Sequence, residues 1–214
     1  MKKVGIIGSG NVGQALAKGF VENGYQTTIA SRSEEKRKEL EQAFEGKIKT
    51  DSLENTARNN EIIVFAVKGG KAKEALAVLK VDNLKGKTVI DATNPIEDAA
   101  PVKGVLVYST SINKSLMEEL QEMATEAKFV KAFNSVGAGH MVNPLFESKP
   151  TMFICGNDAE AKKEVSEILD KFGWETADMG FAEAARAIEP LAMLWCIPGF
   201  SNNSWNHAFK LLKK

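Results

Sequence analysis

The chain has 214 residues, 43% of them hydrophobic and 26% charged, and its 28 lysines and arginines balance 28 aspartates and glutamates. That length predicts one domain, or one with an appendage, and the composition excludes a disordered chain. The balanced charge supplies no basic field for nucleic acid or an anionic membrane, and no apolar run approaches the roughly 18 residues that would span a bilayer.

Residues 3–7 (Lys-Val-Gly-Ile-Ile) predict a buried strand. From Val12 the set Val12, Ala15, Leu16, Gly19 and Phe20 falls on one helical face, with Gly24 as the stop. Residues 26–30 predict a second strand, Ser33–Phe44 a charged helix and Lys47–Thr50 a short strand. The apolar run within 61–67 suits a strand covered on both faces. A helix over Lys71–Leu79, a strand over Lys87–Asp91 and one long helix over 111–127 follow. Strands at Phe129–Phe133 and Met152–Cys155 precede a helix that Asn157 and Glu160 open in the manner of a capping box and Gly173 closes. A strand at Thr176–Met179 and an apolar helix over 182–196 complete the pattern. Strand alternating with helix over the first 180 residues predicts an α/β domain, 1–180, with a doubly wound, mostly parallel sheet. Residues 181–214 are too few for a second domain and read as a short C-terminal helical appendage packed on the first.

Gly8-Ser9-Gly10-Asn11-Val12-Gly13 fits G-x-G-x-x-G between a predicted strand and a predicted helix, the context a dinucleotide-binding (Rossmann) fingerprint requires. Gly8 would make the tight turn, Gly10 would admit a pyrophosphate to the backbone, and Gly13 would let helix and strand pack closely. An NAD site places Asp or Glu at the end of the second strand, on the ribose 2′-hydroxyl. Here Ser31-Arg32-Ser33 stands there, with Lys36 and Arg37 one turn further, so a guanidinium and hydroxyls await a 2′-phosphate and the expected cofactor is NADP(H). Ala66-Val67-Lys68, Asn94-Pro95 and Asn134, at later strand ends, would line ribose and nicotinamide, with Asn94 and Asn134 as amide-bonding candidates.

No catalytic constellation stands out. Asn134 and His140 are the candidates nearest the expected nicotinamide; a packing role is the alternative for His140. Arg186 and Glu189, one turn apart, read as an i,i+3 pair. Cys155 and Cys196 read as small core residues in a reducing, cytoplasmic setting. No His/Cys/Asp/Glu cluster has metal-ligand spacing, so no metal is expected. Such scarcity suits hydride transfer, which needs orientation more than an acid or base. The tail residues Leu191, Met193, Leu194, Trp195 and Phe200, with others over 188–212, predict a homodimer surface. Met141, Leu191, Met193 or Trp195 would wall an apolar slot for the acceptor ring.

Gly8–Gly13, Ser31-Arg32, Asp91-Ala92-Thr93-Asn94-Pro95, Val130-Lys131-Ala132-Phe133-Asn134-Ser135-Val136-Gly137 and Glu189-Pro190-Leu191-Ala192 together resemble the NADP oxidoreductases dependent on the deazaflavin coenzyme F420. They also resemble the nucleotide-binding domain of the transmembrane metalloreductases. The resemblance implies an NADPH-binding Rossmann domain that exchanges hydride with a deazaflavin or flavin-like acceptor. It further implies that Ser9–Val12 hold the pyrophosphate, that Ser31, Arg32 and Lys36 hold the 2′-phosphate, and that Val67, Asn94 and Asn134 line the nicotinamide. Two other readings stay open: a non-catalytic NADP(H)-binding sensor or partner domain, and a small imine or hydroxyacid reductase, to which Phe65-Ala66-Val67-Lys68 points.

Overall fold

The computed structural model describes residues 2–214 and arranges eight strands in one sheet, in the order β3-β2-β1-β4-β5-β6-β7-β8. The strands are β1 (Lys3–Ile7), β2 (Gln26–Ala30), β3 (Lys49–Asp51), β4 (Ile62–Phe65), β5 (Thr88–Asp91), β6 (Lys128–Lys131), β7 (Thr151–Gly156) and β8 (Glu175–Asp178). Strands β1 to β6 are parallel. Strand β7 turns antiparallel to β6 through two registered pairs, Val130 with Gly156 and Lys131 with Cys155, and β8 then runs parallel to β7. The chain first winds outward from β1 to β3, then returns to β4 on the other side of β1. That reversal opens a crevice at the carboxyl ends of β1 and β4, where open sheets of this kind bind their ligands.

Helices cover both faces. On one face α1 (Asn11–Glu22) and α6 (Ala159–Lys171) bury Leu16, Ala17 and Phe20 against Val165, Ile168, Leu169 and Phe172. On the other, α3 (Leu53–Asn59), α4 (Ala72–Leu79) and α5 (Leu116–Met123) bury Ala57, Leu76, Leu79, Met117 and Leu120. Helix α2 (Glu34–Ala43) buries only Leu40. Covered on both sides, the four residues of β4 are all fully buried, which is why their sequence is uninterrupted Ile-Ile-Val-Phe.

Several boundaries differ from the sequence pattern, each for a local reason. Residues 111–127 do not form one helix: Ser115 accepts from the Glu118 N–H while Glu118 accepts from the Ser115 N–H, and this reciprocal cap starts α5 at Leu116. Residues before it form a loop braced by the bridges Ile96–Tyr108, Val102–Val105 and Ser111–Lys114. Helix α6 is capped by Asp158, which accepts from the Ala161 N–H, whereas Asn157 accepts from the Ala182 N–H. Helix α3 carries no apolar stripe, burying only Thr56 and Ala57, and so gave no periodic signal. The last helix is longer than 182–196: after a 3-10 turn at Ala182–Ala184, α7 runs from Ala185 to Asn202 through Pro190 and Pro198. The Trp195 and Trp205 rings pack closely on Gly137 and Gly199, where a Cβ would meet them. Among the described residues no helix is long and apolar enough to cross a membrane.

Candidate nucleotide-binding groove

The carboxyl ends of β1, β2, β4 and β5 open on one groove of about 1070 Å³. It gathers Gly8, Ser9, Gly10, Asn11 and Val12 from the β1–α1 turn, Ser31, Arg32, Ser33 and Lys36 from the β2–α2 turn, Ala66, Val67 and Lys68 after β4, and Asn94 after β5. Thus all but two of the residues expected to hold the cofactor share its walls. Those two, Pro95 and Asn134, are buried behind it.

The glycine turn is built as the fingerprint requires. Gly8 has φ +128°, and a Cβ there would lie 2.2 Å from the Ala66 carbonyl oxygen. A Cβ on Gly13 would lie 1.9 Å from the Gly8 carbonyl oxygen, so helix and strand meet only because neither position has a side chain. Around Gly10, by contrast, a Cβ would meet nothing within 4 Å, and the backbone stands bare to the groove. This bare cradle at the amino end of a 12-residue helix, with no acid in its first turn, fits a pyrophosphate.

At the end of β2, Ser31 is buried; its N–H donates to the Asp51 carbonyl at 3.0 Å and its carbonyl accepts from Arg37 at 3.1 Å. Ser33 caps α2, accepting from the Lys36 N–H at 3.1 Å and donating to Glu35. Arg32 is exposed on the groove wall, facing Lys71 and Glu74 of the opposite wall. The Lys71 ammonium, with a smaller contribution from Arg32, holds the Glu74 carboxyl below the usual carboxylate range.

At the other end, Asn94 Nδ2 donates to the Asn134 carbonyl at 2.8 Å, and Asn134 Nδ2 donates to the Ile188 carbonyl at 2.9 Å. Phe133, just before, is buried with φ +63°, a left-handed conformation rare for an aromatic residue. It turns the chain so that the Phe133 ring enters the core beside Phe172 while Asn134 faces Asn94 and α7. His140 is not brought to the groove: it lies on a turn over α1, its ring 5.3 Å from Phe146. Met141 and Trp195 belong to the core and do not wall an open slot. Trp195 instead stacks on His207 and donates to its carbonyl at 2.8 Å.

Sequence reasoning missed a buried charge cluster behind Asn94. Lys131 Nζ lies 2.7 Å from Asp91 Oδ2 and 2.9 Å from Glu189 Oε1, and donates to the Thr93 carbonyl at 3.0 Å. All three ionic side chains are at most 1% exposed. Glu189 also accepts the N–H groups of Leu116 and Met117, both at 3.0 Å, and so compensates the first turn of α5. Burial alone would lower the Lys131 pKa; the two carboxylates outweigh it and hold it above the ordinary lysine value.

Glu189 therefore does not pair with Arg186. Arg186 reaches Glu118 instead, through Nε to Oε2 at 3.0 Å and through a second contact from its terminal nitrogen. That guanidinium, aided by the Ser115 hydrogen bonds, holds the Glu118 carboxyl down at about 2. A depressed carboxylate contributes stability that is present above its unfolded pKa near 4.5 and is lost as pH falls toward about 2. Glu118→Gln should accordingly flatten the stability profile between those values; equal acid limbs in urea titrations of parent and variant would contradict this.

A mostly parallel sheet with a glycine turn at its switch point, and a basic groove wall where an NAD site carries an acid, are the features of a dinucleotide-binding Rossmann domain suited to NADP. More particularly, residues 3–95 match the family model described as NADP oxidoreductase coenzyme F420-dependent. The chain is 26% identical over 203 residues to the F420-dependent NADP reductase of Methanocaldococcus jannaschii, covering 90% of each. It is 30% identical over 200 residues to metalloreductase STEAP3 of Rattus norvegicus, covering 92% of this chain and 38% of that protein, so it spans about two fifths of the metalloreductase's length. A crystal structure from Arthrobacter sp. FB24, named provisionally as an F420-dependent NADP-reductase, superposes with a TM-score of 0.93 at 27% identity over the whole of both chains. The resemblance drawn from the sequence motifs is borne out.

Proposed function

We propose that this protein transfers hydride between NADP(H) and a deazaflavin or flavin-like small-molecule acceptor. The observation that carries the cofactor choice is the exposed Arg32 guanidinium at the end of β2, beside Ser31, Ser33 and Lys36 on one groove wall. The similarity to an F420-dependent NADP reductase over nine tenths of both chains supports the acceptor class. In this reading the Gly8–Val12 turn holds the pyrophosphate and Arg32 with Lys36 holds the 2′-phosphate. Ala66, Val67 and Lys68 then flank the ribose, and Asn94, backed by Pro95 and Asn134, faces the carboxamide. The cofactor, when bound, supplies a nicotinamide ring able to give or take hydride. The chain contributes binding and orientation: the Asp91, Lys131 and Glu189 charges behind Asn94 are buried in ion pairs, and the exposed Lys68 on the groove wall is paired with Asp98.

The reading includes a nucleotide-binding domain over 1–180, a helical appendage over 181–214, a cytoplasmic location and a homodimer. Leu194, Phe200 and Leu212, which are 54%, 47% and 84% exposed, support the dimer. Anaerobic NADPH oxidation should be followed with deazaflavin, riboflavin, FMN and FAD in turn. Turnover with at least one of these tricyclic acceptors is expected; tight NADPH binding without turnover on any would favour a sensor or partner domain.

A further inference from the structure

The buried charge cluster is one arc of a closed ring. Asp91 Oδ1 accepts the Thr93 N–H at 2.9 Å and the Thr93 hydroxyl at 2.7 Å, while Lys131 donates to the Thr93 carbonyl. The next residue is Asn94, whose amide exchanges hydrogen bonds with Asn134: Nδ2 to the Asn134 carbonyl at 2.8 Å, and Oδ1 from Asn134 Nδ2 at 3.3 Å. Asn134 donates to the Ile188 carbonyl, the next residue is Glu189, and Glu189 returns to Lys131. Tyr108 fixes the same point of α7, its hydroxyl donating to the Glu189 carbonyl at 2.8 Å.

Three features set this ring apart from ordinary core packing. Buried ion pairs add little stability over apolar residues of the same size, so stability alone gives no reason for one here. Asn94 is the ring's only member on the groove wall. With both ends of its amide engaged it has one orientation, which leaves its second Nδ2 proton for a ligand. And Asn134 Oδ1 is buried without a hydrogen-bond partner, a cost the site bears while both of its N–H bonds are directed at ring members.

We propose that Asp91, Lys131 and Glu189 are positioning residues for the nicotinamide end of the groove. They act through Thr93 and Asn134 to hold Asn94 in one orientation, and through Glu189 they make α7 part of the binding site without touching the cofactor. This rests on the NADP(H) reading above. It separates the two ends of the groove: the 2′-phosphate end, on β2, lies outside the ring.

The test compares NADPH with adenosine 2′,5′-bisphosphate, which lacks the nicotinamide. In Glu189→Gln and in Thr93→Val, bisphosphate affinity should stay within about twofold of the parent. NADPH should bind about tenfold more weakly, the share of one hydrogen bond. The nicotinamide fluorescence of bound NADPH, enhanced by immobilisation in the parent, should fall by more than half. Glu189→Gln leaves a buried ammonium short of a partner and can fail to fold; Thr93→Val removes only the hydroxyl and then decides alone. Folded variants that keep the parent's NADPH-to-bisphosphate affinity ratio and its fluorescence would overturn the proposal. So would an equal loss for both ligands, which is what general loosening of the fold produces. A parent that binds neither ligand would bring down the NADP(H) reading itself, and the proposal with it.

Discussion

Lys131→Met should destabilise the protein by about 3–5 kcal/mol, a fall of roughly 6–20 °C in Tm for a chain of this size. The methionine fills nearly the same volume, so the loss comes from charge rather than from a cavity. Two carboxylates, Asp91 and Glu189, would remain at 0–1% exposure with their shared cation gone. Restoring neutrality with Asp91→Asn and Glu189→Gln in the same chain should recover a large part of the loss, because no uncompensated charge is then buried. The Lys131 pKa is raised on folding, so the stability its charge contributes is fully present below the unfolded value of about 10.5 and is lost as pH rises through the folded one. A Lys131→Met protein melting within about 3 °C of the parent at neutral pH would show that these carboxylates reach water in solution.

The parent should bind NADP(H) about 10- to 150-fold more tightly than NAD(H), the range set by one charge-assisted hydrogen bond to the 2′-phosphate. Arg32 is placed for it: exposed, on the groove wall, at the end of the strand next to the glycine turn. Ser31 is buried beneath it and Ser33 is committed to capping α2, so the guanidinium should carry the larger part of the discrimination. Ser31→Asp with Arg32→Ala should reverse the preference, and Arg32→Ala alone should raise the NADPH Kd with little effect on turnover at saturation. Calorimetric titrations giving equal dissociation constants for the two cofactors in the parent would refute the assignment.

The mostly parallel sheet and the glycine turn were legible because their signals are local. The uninterrupted Ile62–Phe65 run announces a strand covered on both faces, and a glycine triplet between strand and helix has few other uses. The charge ring was not legible, because Asp91, Lys131 and Glu189 meet only once three distant segments have folded. A signal was nevertheless present: Lys131 interrupts Phe129-Val130 and Ala132-Phe133, and a lysine flanked by apolar residues in a central strand must find a buried anion. Helical spacing suggested Arg186 as the partner of Glu189; the two side chains leave α7 toward different neighbours, Glu118 and Lys131. Sequence distance misled again at His140, which follows the sixth strand closely but is carried over α1 by the turn after Gly137. The helical start at Ser115 was readable too, since Ser-x-x-Glu stands there, but the apolar spacing further along obscured it.

The outer strands of the sheet bear on how copies of this chain can meet. An open sheet offers unpaired backbone groups at each border, and such borders template aggregation when they are long and apolar. Here the borders are β3, three residues with Lys49 exposed, and β8, four residues with Glu175 and Asp178 exposed. Short and charged, they discourage a neighbour from adding strands to the sheet. Self-association of the native protein is thereby steered away from continuous cross-chain ladders, which propagate without limit, toward contacts between helix faces, which can close after two copies.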